Sequence, residues 1–154
     1  MILTELIVIL ALMVVNGVFA GAEIAIVSLR QTRLQQLVEA NRVGAKTVAT
    51  LRAEPERFFA TVQVGITVIT TTAAAFGGAR MARHIEPLLR PLPFVGGRRA
   101  DDFALAIVVV LVSFLSLVIG ELVPKSLALR RSELYALVVA KPIAWLSRIA
   151  RPIV

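Results

Sequence analysis

Asn16, Ala20 and Glu23 recur at helical spacing near the start of the chain. Gln63, Thr67, Thr70 and Ala74 do so in its middle, and Ser113, Leu117 and Glu121, with Gly120 beside them, near its end. All three stripes lie in runs that are otherwise almost wholly apolar. A polar or ionisable group at membrane depth is costly, so each needs a partner or a task. A carboxylate, an amide oxygen and hydroxyls are hard ligands, suited to magnesium or another hard cation. The chain has no cysteine and one histidine, so no soft donor set competes. His84 is expected to stand alone and solvated in an outer loop.

The third stripe runs into Gly120-Glu121-Leu122-Val123-Pro124-Lys125. Proline removes a backbone donor and frees the carbonyl four residues earlier, here that of Gly120. Broken helices with free carbonyls occur inside membranes where they line a cavity, and transporters use them to hold cations. Pro124 is therefore expected to break the helix so that Glu121 and nearby carbonyls face a bound ion, with Lys125 snorkelling to the boundary. Plainer readings stand beside this one. The threonines can bond their own helix carbonyls, and Asn16 can join two helices. Glu23, two turns from Arg30, can form a structural ion pair with it. Glu121 can be a helix-end charge at the interface.

Such residues need membrane-spanning elements to position them. Of 154 residues, 58% are apolar and 18% charged, with a mean hydropathy of +0.84. Residues 6–22, 58–79 and 103–120 carry no formal charge, and about 20 such residues cross the hydrocarbon core. The expected fold is an all-α integral membrane protein with spans at about 2–28, 58–79 and 103–121. Amphipathic helices are expected over about 29–54, broken near Gly44, and a basic juxtamembrane segment over about 126–154. In that segment Lys141-Pro142 cuts the apolar stretch, and Tyr135 and Trp145 suit the headgroup level. Gly77-Gly78 should close the second span, Pro87 and later prolines make the following connection irregular, and Asp101-Asp102 cap the third span. The first run has no basic leader and is too long for a cleaved signal peptide.

The net charge of +7 reflects bases flanking the spans, not a nucleic-acid surface. Arg30, Arg33, Arg42, Lys46, Arg52 and Arg57 follow the first span, and another basic group follows the third. The residues before the first span hold no base. The positive-inside rule then places the N-terminus outside and the C-terminus in the cytoplasm of a cell inner (plasma) membrane protein, although the second connection is also basic. At about 1.5 Å per residue, Asn16 lies about 20 Å from the outer boundary, Thr67 and Thr70 about 13–18 Å from the inner one, and Glu121 about 27 Å along the third span. The stripes are expected to meet in the inner half of the membrane.

The stretches "NGVFAGAEIAIVSLR" (16–30), "TVQVGITVITTTAAA" (61–75) and "GELVPKSLALR" (120–130) resemble the transmembrane domain of the CNNM/CorC family of magnesium transporters. The resemblance covers nearly the whole chain, and Gly-Glu-x-x-Pro-Lys is its most specific part. It implies a homodimer of three-helix subunits with a cytoplasmic-side helical hairpin and a juxtamembrane helix. It also implies a dehydrated Mg2+ in an inward-facing cavity and, in a whole protein, a CBS-pair module that binds ATP. Residue by residue, Glu121 matches the acidic ligand. Asn16 and Ala20 match first-helix positions often held by serine, and Ala20 offers only its carbonyl. Gly65, Ile66 and Thr70 match a Gly-Asn-x-x-x-Asn pattern. Ile66 cannot be a side-chain ligand, so Thr67, Thr70 and backbone oxygens, Gly65 and Gly120 among them, are expected to fill in.

The expected function is Mg2+ transport, as export, with Na+ a candidate coupling ion. A membrane anchor and dimerisation module for a cytoplasmic sensor is the alternative, and haemolysin a weaker third. An enzyme is not expected, because no nucleophile–base pair or paired catalytic carboxylates can be placed at one depth. A homodimer is expected to pack through Gly17/Gly21 or the Ala73-Ala74-Ala75 run. The chain stops on an apolar residue, Val154, and a soluble region is expected to be missing from it.

Overall fold

The computed structural model describes residues 2–89 and 100–149. The described elements are all helical: α1 (Ile2–Ser28), α2 (Gln31–Glu39), α3 (Ala45–Ala53), α4 (Pro55–Leu89), α5 (Ala100–Leu117), a π turn (Val118–Leu122), α6 (Val123–Arg130) and α7 (Ser132–Ile149). Among the described residues three stretches are long and apolar enough to cross a bilayer, Leu3–Ser28, Pro55–Phe76 and Leu105–Arg130. The chain is an all-α membrane protein.

Two buried clusters hold these helices together. One joins α1 to α5 through Ile9, Met13, Val108 and Val112. The larger lies at the other end of α1, where Ala22, Ala25 and Ile26 meet Leu34 and Leu37 of α2, Val48 of α3, Val62 and Ile66 of α4, and Ala136 and Ile143 of α7. Many large apolar side chains remain outside both clusters, among them Val14, Val68, Val110 and Phe114. On a water-soluble protein this would be an adhesive surface; on membrane-length helices it is the surface that meets lipid.

Residues 40–44 turn α2 back toward α3. Asn41 and Gly44 both adopt positive φ there, 52° and 89°. A Cβ on Gly44 would run into the carbonyl oxygen of Leu137 on α7, so only glycine lets this turn lie on α7. Polar contacts then tie the short helices down. Arg33 on α2 makes a two-pronged ion pair with Glu133 on α7, at 2.8 and 3.1 Å. Arg52 donates to the Leu29 carbonyl, and Arg57 donates to the Ser147 carbonyl at 3.0 Å. These arginines fasten helices as well as contributing charge.

Four expectations about the elements need correction. The second span does not close at Gly77-Gly78: α4 runs through them to Leu89. Each glycine costs about 1 kcal/mol in a helix, but the following Ala79, Arg80, Met81 and Ala82 are strong helix formers that carry the helix on. Pro87 falls in its last turn, not in an irregular loop; residues 90–99 of that connection lie outside the described residues. Asp101 and Asp102 sit in the first turn of α5 instead of capping it, since the helix opens at Ala100. Lys141-Pro142 does not cut α7, because Val139, Ala140 and Ile143 on either side are buried and offset the lost backbone bond. The end of the juxtamembrane segment, 150–154, lies outside the described residues.

Candidate functional site

The site is built around Pro124. Its missing N–H cannot bond the Gly120 carbonyl, yet the helix does not break. A π turn over Val118–Leu122 absorbs the mismatch, and the Val123 N–H bonds the Val118 carbonyl five residues back. The expected break is therefore a π turn in a continuous helix. π turns of this kind are frequent at functional sites.

The Gly120 carbonyl finds its partner on α1, where the Asn16 side-chain amide donates to it at 3.1 Å. Asn16 is only 1% exposed, and its other polar atom, Oδ1, is buried without a hydrogen-bond partner. Close approach makes this contact possible. A Cβ on Gly120 would lie 3.0 Å from the Asn16 Nδ2, and one on Gly17 would lie 2.6 Å from the Pro124 ring. Gly17 thus provides the notch that seats Pro124.

Glu121 faces a groove of 520 Å³ between α4 and α5, lined among others by Thr70, Thr71, Ser113 and Ser116. The Thr70 hydroxyl donates to the Ile66 carbonyl at 2.8 Å, and the Thr71 hydroxyl to the Thr67 carbonyl at 2.6 Å. The plain reading thus holds for Thr70 and Thr71, but it does not disarm them. A hydroxyl that spends its proton on its own helix keeps lone pairs for a cation. Lys125 sits on the same helix face as Glu121, its Nζ 3.8 Å from Glu121 and 3.9 Å from Glu23 on α1. The two carboxylates, treated separately from sequence, meet at one ammonium. Lys125 turns toward both carboxylates. Glu23 takes Lys125 as partner, not Arg30, because α1 ends at Ser28 and Arg30 leaves it in extended backbone.

The structure therefore brings Asn16 to Gly120, and Thr70 to Glu121. Asn16, Gly120, Thr67, Gly65 and Ala20 are not among the groove's lining residues. Gly65 instead seats the Phe19 ring, 2.5 Å from where its Cβ would be. Ala20 is fully buried, and Ile66 lies in the larger core cluster. Ser116 was missed from sequence. It lines the groove and its Oγ lies 3.6 Å from the Cβ position of Gly120. Its spacing of four from Gly120 was the available signal. Among the described residues no three acidic or imidazole side chains converge. The arrangement offers oxygens of mixed type around two carboxylates and one ammonium.

One other expectation changes. His84 is not solitary: its Nδ1 lies 3.8 Å from Glu5 near the start of α1. Tyr135 packs on α1: its hydroxyl lies 2.6 Å from the Cβ position of Gly21 and donates to the Val18 carbonyl at 3.4 Å. Gly17 and Gly21 are both used within the subunit.

Comparison with known proteins adds an independent line. The profile of the family described as "Cyclin M transmembrane N-terminal domain" matches residues 6–154. A UPF0053 protein of Synechocystis sp. is 39% identical over 97% of this chain and 33% of its own length. The UPF0053 protein YugS of Bacillus subtilis is 30% identical over 100% of this chain and 36% of its own. A Haemophilus influenzae protein named "Polyamine export protein" is 29% identical over 89% of this chain and 34% of its own. The chain spans about a third of the length of these curated relatives.

Proposed function

The chain belongs to the cyclin M (CNNM) transmembrane-domain family, and we propose that this membrane transport-related domain binds Mg2+ within the membrane and exports it. The observation that carries the reading is the buried Asn16 Oδ1, an acceptor without a partner, held beside Gly120 by its own Nδ2. A buried polar atom without a partner is costly, and a cation is a partner that an acceptor-only atom would take, here one residue along the chain from Glu121 through its neighbour Gly120. Glu121, Ser116 and Thr70 supply further hard oxygens along the groove. In this reading the N-terminus is outside, the ion enters from the cytoplasm, and Na+ is the coupling ion. The protein works as a homodimer. Gly17 and Gly21 being spoken for, Ala74 and Ala75 are left as the small residues on an exposed face. In the whole protein a cytoplasmic CBS-pair module regulates the domain. Transport, not catalysis, is its activity.

The test is ligand-linked stabilisation, since an ion that binds only the folded state raises the melting temperature with occupancy. Millimolar Mg2+ should stabilise the protein, and Glu121→Gln should remove most of that shift while leaving the fold intact. Thr70→Val should weaken it less. A full shift in Glu121→Gln would make the carboxylate structural and favour the anchor reading.

One observation favours a second cargo, an organic polycation. The Lys125 ammonium already rests between Glu23 and Glu121, so the site accepts an alkylammonium, and one relative is named for polyamine export. Stabilisation by spermidine but not by Mg2+ would select this reading.

A further inference from the structure

A second polar cavity, of 340 Å³, lies away from the cation site, between α3, the start of α4 and α7. Its walls carry Lys46, Thr47, Glu54, Arg57, Ser147 and Arg148, so three bases face one carboxylate. Arg57 and Glu54 neutralise each other at 2.9 Å, and the second arm of Arg57 is held by the Ser147 carbonyl at 3.0 Å. Among the described residues no ion pair engages Lys46 or Arg148, both exposed at the rim. Two uncompensated cations thus converge over a cavity whose inner wall is already rigid.

Its level in the molecule narrows the ligand. Arg57 and Phe58 belong to the first turn of the span Pro55–Phe76, so the cavity opens where hydrocarbon gives way to headgroups. Phe59 on α4 and Trp145 on α7, both exposed, adjoin the lining residues Phe58 and Ala144 in the chain, and aromatic rings of this kind favour the interface. Lysine and arginine with threonine hydroxyls are a phosphate-binding set, and basic pockets between helices at this depth take anionic headgroups. The exposed apolar faces of α4 offer acyl chains a surface directly beside it.

We propose that this cavity is a binding site for a phosphate group, supplied by the headgroup of an anionic phospholipid. It does not depend on which cation the domain carries.

Native mass spectrometry of the full chain in mild detergent tests it, with phosphatidylglycerol, phosphatidylcholine and inorganic phosphate as probes. Phosphatidylglycerol should be retained about tenfold better than phosphatidylcholine, and millimolar inorganic phosphate should not displace it. Lys46→Gln with Arg148→Gln should abolish the preference, whereas Arg130→Gln with Arg131→Gln, an equal charge loss outside the cavity, should keep it. Lys46→Arg with Arg148→Lys should keep it too, which guards against a folding defect. Equal retention of the two lipids, or a preference that survives Lys46→Gln with Arg148→Gln, overturns the proposal. Binding of inorganic phosphate that this pair of substitutions removes, with no lipid preference, overturns the lipid source and leaves a soluble phosphate ligand.

Discussion

The Asn16 side-chain amide reaches across 104 residues of sequence to donate to the Gly120 carbonyl at 3.1 Å. One bond thereby satisfies the carbonyl that Pro124 leaves without a helical partner, fixes the π turn against α1, and sets Asn16 Oδ1 as a free acceptor. Asn16→Leu should remove all three effects. It leaves a buried carbonyl unsatisfied, which costs about 1–3 kcal/mol, so the melting temperature should fall. The Mg2+-dependent shift should fall further than Thr70→Val lowers it. A differential scan with and without Mg2+ reads both.

Gly21 has no room for a methyl group, because the Tyr135 hydroxyl lies 2.6 Å from its Cβ position. Gly21→Ala should destabilise the subunit by about 1–3 kcal/mol through overpacking. Adding Tyr135→Phe removes the nearest colliding atom, leaves the ring Cζ at 2.7 Å, and should recover part of that loss. The double-mutant cycle, measured by thermal or denaturant unfolding, should therefore be non-additive.

The Arg33–Glu133 pair makes a pH prediction. The hydrogen bond from Arg33 holds the Glu133 carboxyl below its usual range. A depressed carboxylate pKa contributes stability that is complete above the unfolded value, about 4.3, and is lost as pH falls through the folded value. Glu133→Gln should thus be less stable than the parent chain at pH 7. The gap should begin to narrow as the pH falls below about 4.3 and close only below the depressed folded value. Melting curves of both proteins across this range check it.

Orientation is tested at residues the structure shows to be open. Val43, in the turn between α2 and α3, is 75% exposed, and Leu3, at the other end of α1, is 69% exposed. With the N-terminus outside, Leu3→Cys should react with an impermeant thiol reagent in intact cells and Val43→Cys only after lysis. Gly44 is unsuitable for such labelling, since its φ of 89° and the Leu137 carbonyl leave no place for a side chain.

What could be read in the sequence follows from which forces are local. The spans are legible because hydropathy is additive along a helix. The turn at Gly44 is legible because a glycine between two amphipathic stretches has few other uses. The Gly120–Pro124 stretch announces itself because proline's effect reaches only four residues back. The outcome at Pro124 is not legible: whether a helix breaks there or gains a π turn depends on Asn16 and Gly17, distant in sequence. The same holds for Lys125. Its pairing with Glu23 depends on a helix distant in sequence. The length of α4 is not legible at Gly77-Gly78, because the helix formers behind the two glycines outweigh them.

The π turn has one more consequence. It carries a residue more than an α turn, and each residue turns a helix by about 100°. That surplus residue sets the phase of everything after it relative to α5. Remove one residue from Val118–Leu122 and a regular helix would re-form, with Pro124 swung off the Gly17 notch and Lys125 swung away from Glu23. Point substitutions here change chemistry one group at a time, whereas a single deletion would uncouple α1 from α6 as a register error.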